Sequence, residues 1–393
     1  MTTTVARCAM LALAIGVGGS DATAQRPATP LPQAWSVRMA DALMQRHPVV
    51  SVNWDYASGI ALLAVARVGD RTHDPRYAEY VARNMDRFIV SDGTIRSYRP
   101  SELSLDQIAQ GRLLFRLYKP HHEARYREAA FLLRDQLRHQ PRTPDGGFWH
   151  KQIYPQQMWL DGLYMAEPFY AEFAQVFSDT AAFRDVTHQL LIAARHMRDP
   201  GTGLFYHAWD ASHTQFWADT ATGLSRSFWG RATGWYMMAA VDVLDYLPRD
   251  DPDRPAVIRT LQDLAQAVAR LQDPVTGLWY QVLDQPSRTG NYLEASASAM
   301  FAYAFAKGAR MGYLDARYRD VAVRGFNGLT NELVRVDAGG LISLTSICTV
   351  AGLGPETDRR RDGSFAYYVS EPVAADDYKG TAPFILAALE LHK

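Results

Sequence analysis

Cysteine is almost absent from this 393-residue chain, in which Cys8 and Cys348 are the only two. Cys8 lies in a stretch with the pattern of a cleavable leader, so the mature chain would keep one cysteine. A single cysteine excludes an intrachain disulfide and a zinc site built on cysteines. A basic surplus is missing as well, because 41 Lys and Arg face 42 Asp and Glu, for a net charge of −1. This balance argues against a nucleic-acid partner.

Long hydrophobic runs are also missing. After residue 24, no segment offers 18 consecutive apolar residues, so we expect no membrane span in the mature chain. At the N-terminus, Arg7 precedes the short apolar stretch "AMLALAIGVGG", and "ATA" at residues 22–24 has the pattern of a cleavage site. This order predicts a signal peptide over residues 1–24 and a periplasmic or secreted mature protein, with a disordered N-terminus as the alternative.

Motifs for metals and phosphates are lacking too. The chain has no HExxH motif, no acidic calcium loop and no strand-loop-helix phosphate signature. His150 and His207 have no third ligand at the usual spacing, so we read them as histidines that line a site. We therefore expect neither a metal nor a cofactor.

What the chain does have is an internal repeat. "DPGTGLFYH" (residues 199–207) and "DPVTGLWYQ" (273–281) are close copies, and looser versions are "SDGTIRS" (91–97), "PDGGFWH" (144–150) and "DAGGLIS" (337–343). Each phrase combines Asp or Pro with Gly and continues into residues that favour strands. The pattern predicts a tight turn followed by a short extended segment.

Helical patterns alternate around these phrases. Six stretches are apolar on most sides, and six, including the leading "LPQAWSVRMADALMQRH", are amphipathic with apolar residues at i, i+3 and i+4. Apolar inner helices ringed by amphipathic outer helices predict an all-α fold, an (α/α)6 barrel, in which the leading helix supplies the outer partner of the last inner one. An open α-solenoid is the alternative. No linker divides the chain, so residues 25–393 are predicted to form a single domain.

In such a barrel the starts of the inner helices meet at one mouth. The residues expected there are Trp54, Tyr56, Asp106, Asp161, Trp229, Arg231, Tyr292, Glu294, Tyr378 and Lys379. His150 and His207, which end two of the turn phrases, should reach the same end. Alternating aromatic and charged residues are typical of saccharide sites, because sugar faces stack on rings while hydroxyls need polar partners.

Asp161 stands out within "YPQQMWLDGLYMAEPFY", two residues after Trp159 and among large apolar side chains. Removal from water favours the neutral, proton-donating form of a carboxyl group. The alternative is that Asp106, Asp161 and Glu294 are ordinary helix-start acids, which favour the positive end of the helix dipole. Arg231 offers a planar fork suited to a carboxylate.

Four strings resemble glycoside hydrolase family 105, the unsaturated rhamnogalacturonyl hydrolases, which are related to the unsaturated glucuronyl hydrolases of family 88. They are "HKQIYPQQMWLDGLYMAEPF", "SFWGRATGWYMMAAVDVL", "GLWYQVLDQPSRTGNYLEASASAMFAYAFAKG" and "YKGTAPF". The match runs from about Trp54 to the C-terminus, and the family fold is an (α/α)6 barrel. The family's usual glycine in "YMAGPF" is Glu167 here, a departure that could alter the pocket.

The resemblance implies a substrate and a reaction. The substrate is a lyase-generated rhamnogalacturonan (pectin) oligosaccharide with a 4,5-unsaturated galacturonic acid at its non-reducing end. One aspartate protonates the C4=C5 bond, water adds at C5, and the glycosidic bond is lost. The catalytic aspartates of the family fall on Asp161 and Asp106. Substrate-binding positions fall on Arg231, Trp235, His207 and His150, and less closely on Trp54 and Tyr56. We add Trp229 and Lys379 from their place at the mouth, and Trp159 because it lies two residues before Asp161.

Two other functions stay open at this point. An unsaturated glucuronyl hydrolase or a conventional two-carboxylate glycosidase would share the fold, the latter with Asp161 and either Glu294 or Asp106 as acid and base. A periplasmic sugar-binding protein is the non-enzymatic alternative, although such proteins alternate strands with helices and this chain does not.

Overall fold

The computed structural model describes residues 34–392 and the first two residues of the chain. Except for those two residues, the predicted signal peptide, which includes Cys8, is outside the described part of the chain. The α-helices described are α1 (Trp35–Arg46), α2 (Tyr56–Thr72), α3 (Pro75–Met85), α4 (Arg112–His121), α5 (Ala124–His139), α6 (Leu160–Phe177), α7 (Ala181–Met197), α8 (Gly230–Val243), α9 (Arg254–Ala269), α10 (Ala295–Arg310), α11 (Tyr318–Gly328), α12 (Phe365–Ser370) and α13 (Tyr378–Leu391).

Six of these helices close into an inner ring. In order around the ring, α2 packs on α4, α4 on α6, α6 on α8, α8 on α10, α10 on α13, and α13 back on α2. Each inner helix carries an outer partner: α3, α5, α7, α9 and α11 pack on the inner helices that precede them, and α1 packs on α13. The predicted (α/α)6 barrel is confirmed, including the leading helix as the partner of the last one. An open solenoid is excluded by the contact between α13 and α2.

Burial follows the two sequence patterns. All 14 residues of α8 are buried, because this helix has ring neighbours on two sides and α9 behind it. In the outer helix α3, one face with Tyr77, Tyr80 and Val81 is buried while the other meets solvent. Apolar burial of this kind contributes about 25 cal/mol per Å². The inner helices are therefore held from all sides, and the outer helices form the amphipathic coat.

The repeated turn phrases form the predicted turns. In the best-preserved copies, the carboxylate of Asp199 accepts a hydrogen bond from the backbone of Thr202 at 2.7 Å, and that of Asp273 does the same for Thr276. Gly203 and Gly277 follow at φ 77°, a conformation that glycine adopts without a Cβ clash. Extended residues come next, so each phrase returns the chain from an outer helix to the mouth.

The strands are short and lie beside the mouth. β1 (Gln157–Trp159) pairs antiparallel with β2 (Ala208–Asp210), with Met158 opposite Trp209. β3 (Val334–Val336) pairs with β4 (Ile342–Leu344), and β5 (Ile347–Cys348) with β6 (Val373–Ala374). β5, α12 and β6 belong to a segment, residues 345–377, that has no counterpart in the other repeats. Within the described residues, no helix is both long and apolar enough to cross a bilayer.

One predicted element differs in detail. The inner helix expected to begin at Asp106 starts instead as two 3-10 turns, Leu105–Gln107 and Ala109–Gly111, and α4 begins at Arg112. Tertiary hydrogen bonds also hold the backbone at its first turn. The N–H of Leu105 donates to the carbonyl of His150 at 3.0 Å, and the Gln136 amide donates to the carbonyl of Ser104. These bonds engage backbone groups at the start of the segment, which winds more tightly before α4 begins.

Candidate active site

A shared register brings the predicted residues together. The N–H of Leu160 at the start of α6 donates to the carbonyl of His207 at 3.0 Å, as the N–H of Leu105 does to His150 one repeat earlier. In both cases the last residue of a turn phrase is hydrogen-bonded to the start of the preceding inner helix. Each histidine is therefore delivered to one aspartate, His150 to Asp106 and His207 to Asp161.

Asp161 ends a buried chain of hydrogen bonds. Its Oδ2 lies 3.0 Å from His207 Nε2, and His207 Nδ1 lies 2.7 Å from the hydroxyl of Tyr368. His207 is fully buried, whereas 15% of the Asp161 side chain stays exposed. When Asp161 is ionised, Nε2–H donates to it and the Tyr368 hydroxyl donates to Nδ1. When Asp161 holds a proton, the direction can reverse along the same atoms, so either state of the carboxyl group can be hydrogen-bonded.

Asp106 has a different environment. Its Oδ2 lies 2.6 Å from Lys151 Nζ, and its Oδ1 lies 3.5 Å from His150 Nε2. Burial alone would raise the pKa of Asp106, but Lys151 and His150 outweigh it and hold the pKa below its usual range. Asp106 is therefore a carboxylate that stays ionised, while Asp161 has a histidine and no lysine or arginine beside it among the described residues. Two carboxylates with different partners are suited to different tasks.

His150 is packed rather than exposed. Burial lowers the pKa of His150 to about 4, even though Asp106 acts in the opposite direction, so the ring is neutral at pH 7. It stacks on Trp159 with ring centres 4.5 Å apart. A side chain at Gly162 would come within 3.0 Å of Nδ1, so the glycine after Asp161 lets the imidazole lie against α6.

Tyr56 is influenced by charges of both signs. Burial raises the pKa of Tyr56 far above its ordinary value, and Asp106 and Asp161 add to the effect while Arg231 opposes it. All three charges are thus within electrostatic reach of a single hydroxyl. The phenol therefore remains protonated and can donate a hydrogen bond.

Arg231 and Lys379 supply positive charge from α8 and α13. Arg231 is 1% exposed, and its Nη1 donates to the Cys348 carbonyl and to Ser296 at 3.3 Å. Burial lowers the pKa of Lys379, Asp377 at 2.8 Å opposes this, and Arg231 lowers the pKa further. The two cations are close enough to repel one another, and an anion placed between them would relieve that repulsion.

The predicted tryptophans pack around the site residues. Trp235 stacks on Tyr164 at 4.8 Å and meets the edge of Tyr56, which places it beneath the site. Trp229 packs against His207 at 4.8 Å with the Arg231 guanidinium over its ring. Trp159, Trp229, Trp235 and Trp54 are each at most 5% exposed.

Trp54 lies at the edge of this group. It donates its indole N–H to the carbonyl of Gln107 at 2.8 Å, next to Asp106. This bond joins the start of α2 to the turn that carries Asp106.

Glu294 and Glu167 have other surroundings. Glu294 is fully buried, and its carboxylate caps α10 by accepting from the N–H of Ala297 and also accepts from Ser296 and the N–H of Cys348. These bonds occupy it structurally, which argues against its use as an acid or base. Glu167 is buried, and the charges that act on it are Asp185 and Arg142.

The sequence matches a known family of glycoside hydrolases. The family model for Glycosyl Hydrolase Family 88 matches residues 35–393. The chain belongs to this family. The match covers the entire barrel described above, together with both aspartates and the segment of residues 345–377.

Individual relatives agree with the family. A family 105 glycoside hydrolase from C. acetobutylicum ATCC 824 is 44% identical, with a TM-score of 0.89 over 92% of this chain and 99% of its own. The unsaturated rhamnogalacturonyl hydrolase YesR of Bacillus subtilis (strain 168) is 30% identical over 67% of this chain and 73% of its own. The unsaturated glucuronyl hydrolase of Bacillus sp. GL1 is 15% identical, with a TM-score of 0.68 over 91% of this chain and 95% of its own, which shows a common fold.

The predicted family is thus confirmed, and this member of families 88 and 105 is a glycosidase. Two residues of the site, Lys151 and Tyr368, were not predicted from the sequence. Lys151 follows His150 directly, and its position beside a predicted site histidine was a usable signal. Tyr368 gave no signal, because it lies in the segment of residues 345–377 that has no repeat counterpart. Between residues 34 and 392, no three His, Cys, Asp or Glu side chains converge in a way that could hold a metal ion.

Proposed function

We propose that this protein is an unsaturated rhamnogalacturonyl hydrolase, which removes a 4,5-unsaturated galacturonic acid from the non-reducing end of lyase-generated pectin fragments. The observation that carries the proposal is the pair of unlike carboxylates at one mouth. Asp161 lies on the reversible His207–Tyr368 chain, and Asp106 is held ionised by Lys151. The 30% identity to YesR supports this substrate class over the glucuronyl one.

The uronate carboxylate would bind to Arg231 and Lys379. A carboxylate conjugated to the C4=C5 bond is planar, and a guanidinium matches that plane with two parallel N–H donors. Nη1 of Arg231 is already bonded to the Cys348 carbonyl, which holds the guanidinium in place over Trp229. The substrate anion would also separate the charges of Arg231 and Lys379, so binding and charge relief act together.

The reaction is a hydration followed by ring opening. Asp161 gives its proton to C4, the C4=C5 electrons form the new C–H bond, and C5 becomes an oxocarbenium ion. Water adds to C5 and returns one proton to Asp161, which leaves a hemiketal. The hemiketal opens to a C5 ketone, and the C1 hemiacetal that results expels the leaving sugar and becomes an aldehyde. One water is consumed in total, and the scheme uses only a proton donor and water.

The two aspartates divide the work in this scheme. Asp161 alternates between acid and base, which is what the His207–Tyr368 chain accommodates. Asp106 is a poor base because Lys151 and His150 hold its pKa low. As a persistent anion it would stabilise the positive charge that develops at C5, and pre-arranged charge of this kind is a large contribution to catalysis.

We also propose that the mature enzyme works in the periplasm or outside the cell, on the basis of the leader-like first 24 residues. Pectin fragments of a few sugar units are the partners that the mouth would receive. Secretion is tested by N-terminal sequencing of the protein recovered from the native compartment.

A panel of three disaccharides tests the function. We expect rapid loss of the ultraviolet absorbance of unsaturated galacturonyl-rhamnose, slow or no loss for an unsaturated glucuronyl disaccharide, and no hydrolysis of saturated galacturonyl-rhamnose. Faster turnover of the glucuronyl substrate would assign the other specificity. Hydrolysis of the saturated disaccharide would indicate a conventional two-carboxylate enzyme, and tight binding without turnover would indicate a sugar-binding protein.

A further inference from the structure

Three consecutive arginines, Arg359 to Arg361, follow a short 3-10 turn in the segment of residues 345–377, and their surroundings differ. Arg359 pairs with Glu356, and Arg360 pairs with Glu371. For Arg361, no carboxylate oxygen within 4.0 Å is found among the residues that the structure describes. The third arginine therefore carries a positive charge that its neighbours leave uncompensated.

Arg361 turns inward toward the mouth. Its carbonyl accepts from the N–H of Gly354 at 2.8 Å, which holds the loop in a tight return. Its half-buried guanidinium faces the hydroxyls of Tyr154 and Tyr367, which raise the pKa of Arg361 against the lowering effect of burial. Partial burial of an unpaired cation is costly unless a partner arrives.

The position of this guanidinium is given by its contacts. A Cβ built at Gly352 would collide with it and would lie 3.2 Å from the Trp159 ring, so the guanidinium and Trp159 flank the same glycine. Tyr154 in turn stacks on Trp159 with ring centres 4.7 Å apart. Trp159 precedes Asp161 by two residues. Arg361 thus lies at the rim beside the catalytic acid, on the Lys151 side.

Its charge is distinct from the cations assigned to the uronate. Arg231 and Lys379 project from the starts of α8 and α13, whereas Arg361 belongs to the loop above Trp159. Lys151 feels Arg361 electrostatically, but its own charge is matched by Asp106 at 2.6 Å. An anionic group of a bound ligand could therefore reach Arg361 without displacing an ion pair of the protein.

We propose that Arg361, with the Tyr154 hydroxyl, forms a second anion subsite that binds the carboxylate of a further uronic acid residue, beyond the bond that is cleaved. This inference rests on the proposed function. In a rhamnogalacturonan fragment uronic acid and rhamnose alternate, so a disaccharide carries one carboxylate and a tetrasaccharide carries two. The subsite therefore selects fragments of at least three residues with a second acid, and its preferred substrate is the unsaturated tetrasaccharide.

The test compares kcat/KM for the unsaturated disaccharide and tetrasaccharide in the wild type and in Arg361→Gln. A charge-assisted bond to a carboxylate predicts that the tetrasaccharide-to-disaccharide ratio falls by about 10- to 100-fold in the variant. Arg359→Gln is the matched control, because it removes a neighbouring exposed arginine paired with Glu356, and it should leave the ratio unchanged. Arg361→Lys, which keeps the charge, should restore part of the preference.

Methyl esterification of the internal uronate provides a second readout. It should lower the wild-type rate on the tetrasaccharide and leave the rate of Arg361→Gln unaffected. If kcat/KM of Arg361→Gln fell equally for both substrates and its Tm were lower, Arg361 would only support the loop, and the proposed subsite would be wrong. Turnover of both substrates without any wild-type preference would also overturn it while leaving the proposed function standing. Failure to turn over either substrate would reject both.

Discussion

Replacement of Asp161 by asparagine removes the proposed proton donor with little change in shape. The amide oxygen can still accept from His207 Nε2–H, which now lies 3.0 Å from Oδ2. The bonds between Tyr368 and His207 can therefore persist, and the fold should survive with a change in unfolding free energy of about 1 kcal/mol or less. What is lost is the proton on the carboxyl group, because an amide cannot release a proton to C4. The hydrogen bonds from residue 161 through His207 to Tyr368 can then no longer reverse direction.

The size of the effect follows from the role. General acid catalysis contributes about 10²- to 10⁴-fold, which corresponds to about 2.7 to 5.4 kcal/mol of barrier at about 1.36 kcal/mol per factor of ten. Because Asp161 both gives and regains the proton in the proposed scheme, we expect the loss in kcat to lie toward the upper end. KM should change little, since the carboxylate of the substrate would be bound by Arg231 and Lys379.

The assay is the decay of the unsaturated uronate absorbance in Asp161→Asn and in a matched control, Asp135→Asn. Asp135 lies on α5 with 56% of its side chain exposed, so its loss should leave kcat unchanged. Circular dichroism and the Tm establish that both variants are folded. If folded Asp161→Asn kept a kcat within threefold of the wild type, the assignment of the proton donor would be wrong.

Three further changes test other parts of the site and fold. Lys151→Gln removes the ammonium group 2.6 Å from Asp106, so the pKa of Asp106 should rise. The acidic limb of the pH–kcat/KM profile should then move to higher pH. An acidic limb that does not move would contradict an ionised Asp106. Arg231→Lys should lower the Tm, because the bond to the Cys348 carbonyl is lost. It should also reduce the preference for the free uronate over its methyl ester by about 10- to 100-fold. An unchanged preference would contradict carboxylate binding by Arg231. Glu167 is buried with both oxygens unpartnered among the described residues, and burial raises its pKa well above the ordinary value. The unfolding free energy should therefore fall as pH rises past the ordinary glutamate pKa, where only the unfolded state ionises. Glu167→Met should raise the unfolding free energy by about 1–3 kcal/mol at pH 7 and should remove its dependence on pH, as measured by urea unfolding at pH 5 and pH 7. An equal pH dependence in the wild type and the variant would contradict this prediction.

The parts of the structure that sequence reasoning predicted are those that local patterns control. Helical periodicity and the repeated Asp–Gly turns were enough for the barrel, because each repeat forms much the same unit. The contact between Asp161 and His207 was expected because both were placed at one end of the barrel. The hydrogen bond from the N–H of Leu160 to the carbonyl of His207 gives the physical reason.

Tertiary packing accounts for what was not predicted. Tyr368 and Arg361 lie in a segment without a repeat counterpart, and nothing in their sequence surroundings indicates that they reach His207 and Tyr154. Trp159 illustrates a second limit. An aromatic residue near a site could have been an open stacking surface, but its neighbours His150 and Tyr154 cover it, and such partners are known only once the repeats are packed together.

The order of two events tests the central claim most directly. Absorbance of the C4=C5 bond and release of the leaving sugar can be followed together in one reaction of the wild-type enzyme with unsaturated galacturonyl-rhamnose. Hydration at C5 predicts that absorbance is lost no later than the sugar is released, with one molecule of each change per turnover. Release of rhamnose ahead of the absorbance loss, or with the absorbance retained, would place the attack at C1 and contradict the account.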